Sequence, residues 1–428
     1  MIGLGYIGLP TAAMFASRKI EVVGVDINQR AVDTINQGEI HILEPDLDLV
    51  VQAAVKEGYL RATTSAEPAE AFLIAVPTPF RGDNHEPDLS YIHSAANLIA
   101  PVLESGNLVI LESTSPVGAT ETMAAWLAEA RPDLSFPQTA GEASDIRIAH
   151  CPERVLPGNV MQELITNDRV IGGMTPKCSQ RAVALYKTFV TGECIVASNP
   201  RAAEMAKLTE NSFRDINIAF ANELSLICDK FGLDVWELIR LANRHPRVNI
   251  LQPGPGVGGH CIAVDPWFIV SSAPEESRLI RAARYVNDSK PSWVIDKVNA
   301  AIETHLSAHV DKLAADVIIA IYGLAFKPDI DDLRESPALA IARTIAAEHQ
   351  GPIKIIEPNI GSLPAGLEKT VLTPPGTVSA DIHLMLVDHS AFRNSVRPAG
   401  IVVDTRGVWP ELYSAQLPPI ITITGDDA

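Results

Sequence analysis

The sequence predicts an α/β protein in which two Rossmann-like, doubly wound domains are joined by a long central helix and a helical middle domain. Near both ends of the 428-residue chain, short β-rich runs alternate with helical stretches, and a helical pattern separates the two regions. Such alternation is typical of parallel sheets covered by helices on both faces. We therefore expect three domains, at residues 1–198, 199–310 and 311–428.

The first region carries three short, β-branched runs bounded by turn or charged residues, at 21–26, 72–76 and 108–112. Runs of this kind predict buried parallel strands. Helical patterns follow at 94–103 and 119–130, and they supply the crossovers that parallel strands need.

The middle region begins with one long helix, predicted over Pro200–Phe231 because apolar residues recur at steps of three and four. These apolar residues are Met205, Leu208, Phe213, Ile216, Phe220, Leu224 and Ile227. The stripe suits a dimer interface and a buried core equally well. A second helix is expected at 235–243, before a loop at 252–260 that is rich in Gly and Pro.

In the last region the alternation returns. Strands are predicted at 317–323, 353–357, 384–387 and 401–404, with a helix at 337–349. This order again favours a parallel sheet.

The chain is acidic: 52 Asp and Glu residues against 34 Lys and Arg leave a net charge of −18. A negative field argues against binding to nucleic acid or to an anionic membrane. No uncharged apolar run reaches the roughly 18 to 20 residues of a membrane span. The five cysteines lack metal or redox spacing, and His150 and His260 lack partners at ligand spacing. We expect a cytoplasmic protein with no metal site.

Gly3, Gly5 and Gly8 form a GxGxxG pattern, followed by a helical stretch and by a strand ending at Asp26. Glycines at these positions allow the backbone to turn tightly and to approach a pyrophosphate at a helix N-terminus. A carboxylate at the spacing of Asp26 accepts hydrogen bonds from an adenosine ribose and repels a 2′-phosphate. The pattern therefore favours NAD over NADP.

A second group of residues suggests covalent chemistry. Cys261 follows the glycine-rich loop and precedes Asp265 and Pro266, which are expected to cap and begin a helix. A cysteine just before a helix N-terminus can be nucleophilic, but a small buried cysteine and a simple cap explain the pattern equally well. Glu153 follows a strand at 147–149, where ligands bind in doubly wound folds, although a surface carboxylate is an equal alternative.

Lys207, Asn211 and Arg214 lie at i, i+4 and i+7 on the long helix and form one polar line. Such a line is most often a solvated face. If it faces a cleft instead, it offers a cation and hydrogen-bond donors to a developing oxyanion.

An ordered set of motifs resembles the UDP-glucose/GDP-mannose dehydrogenase family over nearly the entire chain. The motifs are GLGYIGLP, AVPTP, ESTSPVG, CPERVLPG, AEMAKLTENSF, GPGVGGHCIAVDP and GLAFKPDIDDLRESP. The set in this order is far more specific than any single motif. The segments HPRVN, GVGGHC and VDPWF are similar to the branch of the family that acts on N-acetylated sugars.

The resemblance implies an NAD-dependent enzyme that oxidises the C6 alcohol of a nucleotide sugar to a carboxylate in two hydride transfers. The expected substrate is UDP-N-acetyl-D-mannosamine, and its epimer UDP-N-acetylglucosamine is the alternative. The product would serve the synthesis of enterobacterial common antigen or a related polysaccharide. A homodimer is also expected, in which Arg244, His245 and Arg247 reach the neighbouring site.

The resemblance further implies a covalent route. Cys261 would attack the intermediate aldehyde and later carry a thioester. Lys207 and Asn211 would stabilise the oxyanion, and Asp265 would assist proton movement with water. Tethering the aldehyde keeps it oriented for the second oxidation.

Glu153 would act as the base for thioester hydrolysis, and Thr114 would help to hold the water. Positions matching NAD contacts are Gly3, Gly5, Tyr6, Ile7, Gly8, Asp26, Thr78, Ser113 and Arg334. Positions matching contacts to the nucleotide sugar are Arg154, Val155, Lys207, Asn211, Arg214, His245, Arg247, Gly258, Phe326 and Lys327.

Two departures from relatives that oxidise UDP-glucose concern the substrate. Pro157 stands where those relatives often have a second Glu, and Ala263-Val264-Asp265 replaces Pro-Lys-Asp.

Two other functions fit the motifs less well. A two-electron 3-hydroxyacid-type dehydrogenase needs no cysteine nucleophile, and a non-catalytic NAD-sensing module leaves Lys207, Asn211 and Cys261 without a role.

Relatives also carry several residues ahead of the glycine pattern, which form the first, central strand. Here only Met1 and Ile2 precede Gly3, so that strand is expected to be nearly absent. Because a central strand is costly to lose, we expect about six to eight further upstream residues in the working protein.

Overall fold

The computed structural model describes residues 1–42, 44–82, 84–155, 158–259 and 261–409. The chain divides into two compact units. The first unit comprises Met1–Ser212 and Val264–Arg278, and the second comprises Phe213–Ala263 and the chain from Leu279 onward. Each unit contains a mainly parallel sheet with helices between its strands, which confirms the predicted fold class.

The strands of the first unit are short, and β6 is buried at all four residues, as expected for a central parallel strand. The strands are β1 (Val22–Val25), β2 (Leu60–Thr63), β3 (Ala71–Ile74), β4 (Phe80–Arg81), β5 (Glu86–Pro87), β6 (Leu108–Leu111), β7 (Arg147–His150), β8 (Arg169–Gly173) and β9 (Cys194–Val196). The helices are α1 (Gly8–Ser17), α2 (Gln29–Asn36), α3 (Leu47–Lys56), α4 (Ser90–Ile99), α5 (Ala119–Ala130), α6 (Pro137–Ala140), α7 (Val160–Thr166) and α8 (Pro176–Tyr186). Short 3₁₀ turns lie at Ala100–Val102 and Gly141–Ala143.

The first residues of the chain hold the sheet of the first unit together. Ile2 bridges Val25 of β1 on one side and Ile74 of β3 on the other, both in parallel. The Ile2 N–H donates to Leu73 O at 2.8 Å, and the Val25 N–H donates to Met1 O at 2.7 Å. The central position of the sheet is therefore occupied by an isolated bridge and not by a strand, as expected.

Around this bridge the sheet runs in the order β2, β1, residues 1–3, β3, β6, β7, β8 and β9. Pairing is parallel except between β7 and β8, while β4 and β5 form a separate hairpin. The carboxyl ends of β1, β3, β6 and β7 therefore share one edge of the sheet, which is where ligands bind in doubly wound folds. The largest apolar core of this unit packs α1, α3 and α8 against the sheet.

Four helices form the middle of the chain: α9 (Pro200–Phe231), α10 (Val235–Ala242), α11 (Asp265–Ser272) and α12 (Arg278–Ala308). The bounds of α9 match the predicted helix. It begins in the first unit and ends in the second.

Within the second unit, α9 turns its polar side chains inward. Asp215 and Asn222 are fully buried and bond to Arg284 and Asn287 of α12, at 2.7 and 2.8 Å. Three large apolar residues of the predicted stripe are exposed: Phe213 by 70%, Phe220 by 50% and Ile227 by 44%. The predicted apolar stripe therefore does not form the core of this unit.

The second sheet is built from five parallel strands in the order β12, β11, β10, β13 and β14. The strands are β10 (Ile319–Tyr322), β11 (Ile353–Ile356), β12 (Val371–Leu372), β13 (Ile382–Met385) and β14 (Ile401–Asp404). They follow a 3₁₀ turn at Ala314–Asp316 and accompany helices α13 (Pro337–Glu348) and α14 (Ser390–Arg393). β10 and β13 are buried along their full length.

Candidate active site

The glycine pattern forms a tight turn between the bridge at Ile2 and α1. Gly3 has φ +87°, and a Cβ on it would lie 2.4 Å from Ala75 O. A Cβ on Gly8 would lie 1.9 Å from Gly3 O, so both positions require glycine to build the turn. A Cβ on Gly5 would meet no protein atom within 4 Å, which leaves room above the turn for a ligand.

The surroundings of the turn fit a dinucleotide. Helix α1 has no side-chain cap at Ile7, so its N-terminus is available to attract a pyrophosphate. The half-buried Asp26 accepts hydrogen bonds from the Leu4 and Asn28 N–H groups, each at 2.9 Å. These bonds orient its carboxylate beside the turn, in the position from which a ribose is recognised.

The other predicted NAD contacts fall into two groups. Tyr6 and Ile7 are half-buried within the turn. Ser113, at the end of β6, donates to Val76 O at 2.7 Å, and Thr78 donates to Thr114 O at 2.5 Å. These bonds tie the loops after β3 and β6 together. Arg334 belongs to the second unit, where it pairs with Asp332 at 2.6 Å.

Asp265, Asn211 and Lys207 are brought together in the first unit. The Asn211 amide donates to Asp265 at 2.5 Å, although the two residues are far apart in sequence. Asp265 is 2% exposed, and burial raises the pKa of its carboxyl to about 7, against the opposing effects of the Asn211 hydrogen bond and the Lys207 charge. A carboxyl with such a pKa can exchange a proton near neutral pH.

The prediction that Asp265 caps α11 is wrong. Asp265 is the first residue of the helix, Val264 occupies the cap position, and no side chain caps this end. The carboxylate instead turns toward Asn211, because a buried carboxyl needs a hydrogen-bond partner.

Glu153 is buried three residues after β7, at the edge of the sheet where the prediction placed it. One carboxylate oxygen accepts a hydrogen bond from the Arg154 N–H at 2.7 Å. The other forms an ion pair with Arg169 of β8, whose side chain is 2% exposed. The alternative of a surface carboxylate is therefore wrong.

A polar cavity of about 400 Å³ lies in the first unit. It is lined by Arg154, Val155, Glu163, Asn167, Asp168, Lys207, Glu210 and Asn211, which include four predicted substrate positions. Arg154 makes a two-point ion pair with Glu210, at 2.6 and 3.0 Å. Glu210 was not predicted, and its place one turn before Arg214 on α9 gave no signal that it would meet Arg154.

The second unit carries the remaining predicted residues. Cys261 is exposed, four residues before Asp265 in sequence. Arg214 is exposed on α9, and His245 and Arg247 are exposed in the turn after α10, where the Arg247 N–H donates to His245 at 3.3 Å. His260 and Pro157 lie outside the described residues.

Gly258 and Phe326 are neighbours in the second unit. A Cβ on Gly258 would lie 2.4 Å from Glu335 O and 3.0 Å from the Phe326 Cβ, so this loop requires glycine. Lys327 follows Phe326 and is half-buried. A small cavity of about 40 Å³ beside them is lined in part by Arg406, which pairs with Asp388 at 2.6 Å.

Arg406 was missed by the sequence analysis. It lies two residues beyond the predicted strand at Ile401–Asp404, and the carboxyl end of a parallel strand is a signal for ligand contact. That signal was available in the sequence.

Among the described residues, no group of three or more His, Cys, Asp and Glu side chains is arranged to hold a metal ion. His150 is fully buried at the end of β7, and burial lowers its pKa to about 3. No helix among the residues described here is long and apolar enough to cross a membrane.

Three domains of the UDP-glucose/GDP-mannose dehydrogenase family match the chain. They are the NAD binding domain at residues 1–190, the central domain at 201–289 and the UDP binding domain at 320–411. The predicted cofactor NAD is thereby confirmed, as is a UDP-sugar ligand. The predicted domain borders stay a prediction.

Individual proteins match over nearly their full length. A UDP-N-acetyl-D-mannosamine dehydrogenase of Yersinia pestis is 68% identical over 96% of this chain and 98% of its own. An NDP-N-acetyl-D-galactosaminuronic acid dehydrogenase of Ralstonia nicotianae is 62% identical over 96% and 95% of the two chains. The solved structure of a UDP-D-ManNAc dehydrogenase from Pyrococcus horikoshii is 38% identical, with a TM-score of 0.83 over 99% of this chain and 97% of its own.

Proposed function

Because the chain belongs to the UDP-glucose/GDP-mannose dehydrogenase family, we propose that it oxidises C6 of UDP-N-acetyl-D-mannosamine to a carboxylate. The 68% identity to a dehydrogenase of that name supports this substrate. The product, UDP-N-acetyl-D-mannosaminuronic acid, is a uronic acid donor of the kind used in polysaccharides such as enterobacterial common antigen. When bound at the glycine turn, NAD supplies the hydride acceptor for both oxidations.

The buried Asn211–Asp265 pair beside Lys207 is the observation that carries the proposed chemistry. In the first oxidation the C6 hydroxyl loses its proton and C6 loses a hydride. The Lys207 ammonium and the Asn211 amide stabilise the alkoxide that develops. Asp265, whose pKa burial raises to about 7, receives the proton through a water molecule.

We assign the nucleophile to Cys261. Its thiolate adds to the aldehyde carbon and forms a thiohemiacetal, whose oxyanion meets the same cationic and amide groups. Loss of a second hydride from this carbon gives a thioester. Because the aldehyde is tethered, it does not escape between the two steps.

Glu153 is proposed to begin the final hydrolysis. Water attacks the thioester carbon, its proton passes to the Glu153 carboxylate, and the carbon–sulfur bond breaks to release the Cys261 thiolate. Thr114, whose carbonyl is held by Thr78, helps to position the water.

The nucleotide part of the substrate is proposed to be bound by cations of an otherwise acidic chain. Arg154 and Lys207 line the larger cavity of the first unit. The family resemblance adds Lys327, Arg247 and Arg214, which belong to the second unit, together with Val155, Gly258, Phe326 and His245. Cations of this kind would bind the pyrophosphate despite the net charge of −18.

A second candidate is the same oxidation on another N-acetylated sugar. The 62% identity to an NDP-N-acetyl-D-galactosaminuronic acid dehydrogenase favours an N-acetylgalactosamine substrate, and the N-acetylglucosamine epimer is also to be compared. Inversion of one hydroxyl or acetamido group changes only one or two contacts, so these sugars require a direct assay.

The decisive experiment measures NADH released per sugar from the three UDP-N-acetylhexosamines side by side. We expect two NADH per UDP-N-acetyl-D-mannosamine and slower turnover of the other two sugars. One NADH with free aldehyde would disprove the four-electron oxidation, and faster turnover of another epimer would reassign the substrate. Full turnover by Cys261→Ser would remove Cys261 from the mechanism.

We also propose a cytoplasmic homodimer, in which a second copy covers the exposed face of α9. Phe213, Phe220 and Ile227 recur at seven-residue steps and so follow one face of this helix, and such exposed apolar residues favour association. Phe220→Glu should shift the protein to monomers in sedimentation. Val310→Glu, at a residue 86% exposed outside this helix, is the control and should leave the assembly intact.

A further inference from the structure

The Glu153 carboxylate lies against a buried group of polar side chains to which the reaction assigns no role. Arg169 comes from β8, Glu112 follows β6 and Tyr186 ends α8, so each belongs to a different element of the first unit. Arg169 and Glu112 are each 1% exposed and Tyr186 is fully buried. Charged groups are almost never buried this deeply unless they are paired.

Arg169 is held from several directions. It forms the ion pair with Glu153, and its other terminal nitrogen donates to Leu164 O at 3.2 Å. The guanidinium carbon lies 5.1 Å from the centre of the Tyr186 ring and 5.9 Å from that of Phe189. These contacts leave Arg169 little freedom, and therefore they fix the carboxylate that it binds.

Glu112 is the second carboxyl of the group. One oxygen accepts a hydrogen bond from the Tyr186 hydroxyl at 2.6 Å, and the other is buried without a hydrogen-bond partner among the described residues. Burial, and then repulsion by the Glu153 charge, raise the pKa of Glu112 to about 7.

Among the described residues, the guanidinium therefore forms an ion pair with Glu153 only, while Glu112 lies near its charge without an ion pair. Other ionisable groups near them include the Met1 amine, which acts on Glu112, Cys194, which lies near the guanidinium, and Cys151, on which burial raises the pKa to about 12. With one arginine for two buried carboxyls, only one can be ionised without an uncompensated buried charge.

We propose that Arg169 is a positioning residue for Glu153: it aims the carboxylate and compensates its buried charge, while Glu112 is left without an ion pair in the part of the chain that the structure describes. The inference rests on the proposed hydrolysis by Glu153 and assigns its supporting residues. A base must be deprotonated before it can take a proton from the attacking water. Arg169 meets this condition in a buried site where, without a cation, a carboxylate would take up a proton.

The test uses the full enzyme with UDP-N-acetyl-D-mannosamine and NAD, and it follows turnover and the thioester on Cys261 as functions of pH. Arg169→Gln should leave the formation of the thioester intact but slow its hydrolysis about tenfold to hundredfold at pH 7. The rate of hydrolysis by this variant should recover at higher pH, because a buried carboxyl without a cation is ionised only there. Arg169→Lys, which keeps the charge, should retain the wild-type pH profile.

A second substitution separates charge from structure. In the double variant Arg169→Gln, Glu112→Gln a single carboxyl remains, so the hydrolysis lost at neutral pH should partly return. Glu112→Gln alone should keep hydrolysis close to the wild-type rate at pH 7, because it leaves the Arg169–Glu153 pair in place, and a large loss of hydrolysis would contradict the proposal. This single variant keeps the proposal testable even if Arg169→Gln does not fold.

Arg284→Gln is the matched control, because Arg284 is also 2% exposed and pairs with a buried aspartate at 2.7 Å. It should lower the melting temperature without moving the pH profile of hydrolysis. If Arg169→Gln behaves like this control, or if the double variant shows no recovery, the proposal is wrong. One NADH per sugar from the wild-type enzyme would overturn the proposed function as well.

Discussion

Each α/β unit has a glycine turn directly after its central strand position: Gly3 follows the bridge at Ile2, and Gly323 follows β10. The two turns share their backbone geometry, but only the turn at Gly3 leaves room for a ligand. Gly3 has φ +87° and Gly323 has φ +88°. The next residue in each turn donates its N–H to a carboxylate at the end of the neighbouring strand. Leu4 donates to Asp26 at 2.9 Å, and Leu324 donates to Glu357 at 2.7 Å.

Each of these two carboxylates also accepts a second backbone hydrogen bond, from the residue two positions after it. Asp26 also accepts from the N–H of Asn28 at 2.9 Å, and Glu357 from that of Asn359 at 3.0 Å. In both units a carboxylate therefore joins the loop after one strand to the loop after the next.

The difference lies in what surrounds the carboxylate. Asp26 is half-buried, and Gly5 leaves the space above its turn open. Glu357 is 3% exposed and is closed by His389 at 3.0 Å, and Ala325 takes the place that corresponds to Gly5. The same backbone geometry therefore leaves an open turn in the first unit and a turn closed by a buried carboxylate and histidine in the second.

The largest expected effect is a loss of stability when the Glu357 carboxylate is replaced by an amide. Glu357→Gln weakens the hydrogen bonds that the buried carboxylate accepts from His389 and the Leu324 N–H, and it should cost about 3 kcal/mol of the free energy of unfolding. The affinity for NAD should be unchanged, because this buried carboxylate is covered by His389 and is not among the predicted NAD contacts. Denaturant unfolding and NAD titration measure the two quantities, and a large loss of NAD affinity with normal stability would break the comparison.

Gly5→Ala, in the turn of the first unit, should lower the affinity for NAD and leave the stability unchanged. The added methyl meets no protein atom within 4 Å, so the melting temperature should stay close to that of the wild type. The methyl enters the space for the pyrophosphate, and NAD affinity should fall about thirtyfold, or ~2 kcal/mol. Ala325→Gly is the matched change in the second unit. It should leave NAD binding alone, and tight NAD binding by Gly5→Ala would contradict the assignment.

Asp26→Asn should have a smaller effect. The amide oxygen can keep one backbone hydrogen bond, but the ribose hydroxyls lose a charged acceptor. We expect NAD to bind about tenfold more weakly, or ~1.4 kcal/mol, and discrimination against NADP to decrease. Isothermal titration with both cofactors measures this, and unchanged NAD affinity would show that Asp26 serves only the turn.

The smallest expected effect is on the stability of the protein at acid pH. Although burial raises the pKa of Glu357, hydrogen bonds from His389 and the Leu324 N–H outweigh it, and the net pKa lies below its usual range. A lowered pKa means that the stabilisation is present above the unfolded-state pKa of about 4.3 and is lost as the pH falls through the folded value. Glu357→Gln should therefore flatten the loss of stability below about pH 4, and an unchanged acid limb would contradict this.

Much of the fold was predictable because local patterns determine it. The periodicity of α9 and the alternation around β6 depend on residues close in sequence, and the predicted bounds of α9 and α5 match the structure. β8 was missed because Arg169 and two glycines hide its strand pattern. A buried arginine can be recognised in a strand only when its partner is known.

Part of the candidate site was predictable for the same reason. The glycine spacing and Asp26 identify a dinucleotide turn from a segment of fewer than thirty residues. Asp265 illustrates the limit, since its sequence context predicts a helix cap, while its bond to Asn211 is made 54 residues away. No local pattern encodes such a contact.

The sequence by itself determined the fold class, the family and the cofactor, because these depend on short-range periodicity and on ordered motifs. Only the tertiary structure decided which side chains are charged, paired or closed off. It paired Glu153 with Arg169, turned the polar face of α9 inward, and left Asp26 open while it covered Glu357 with His389. The physical reason is that burial and the distance to an opposite charge determine the state of a polar group, and both arise only when distant segments pack together.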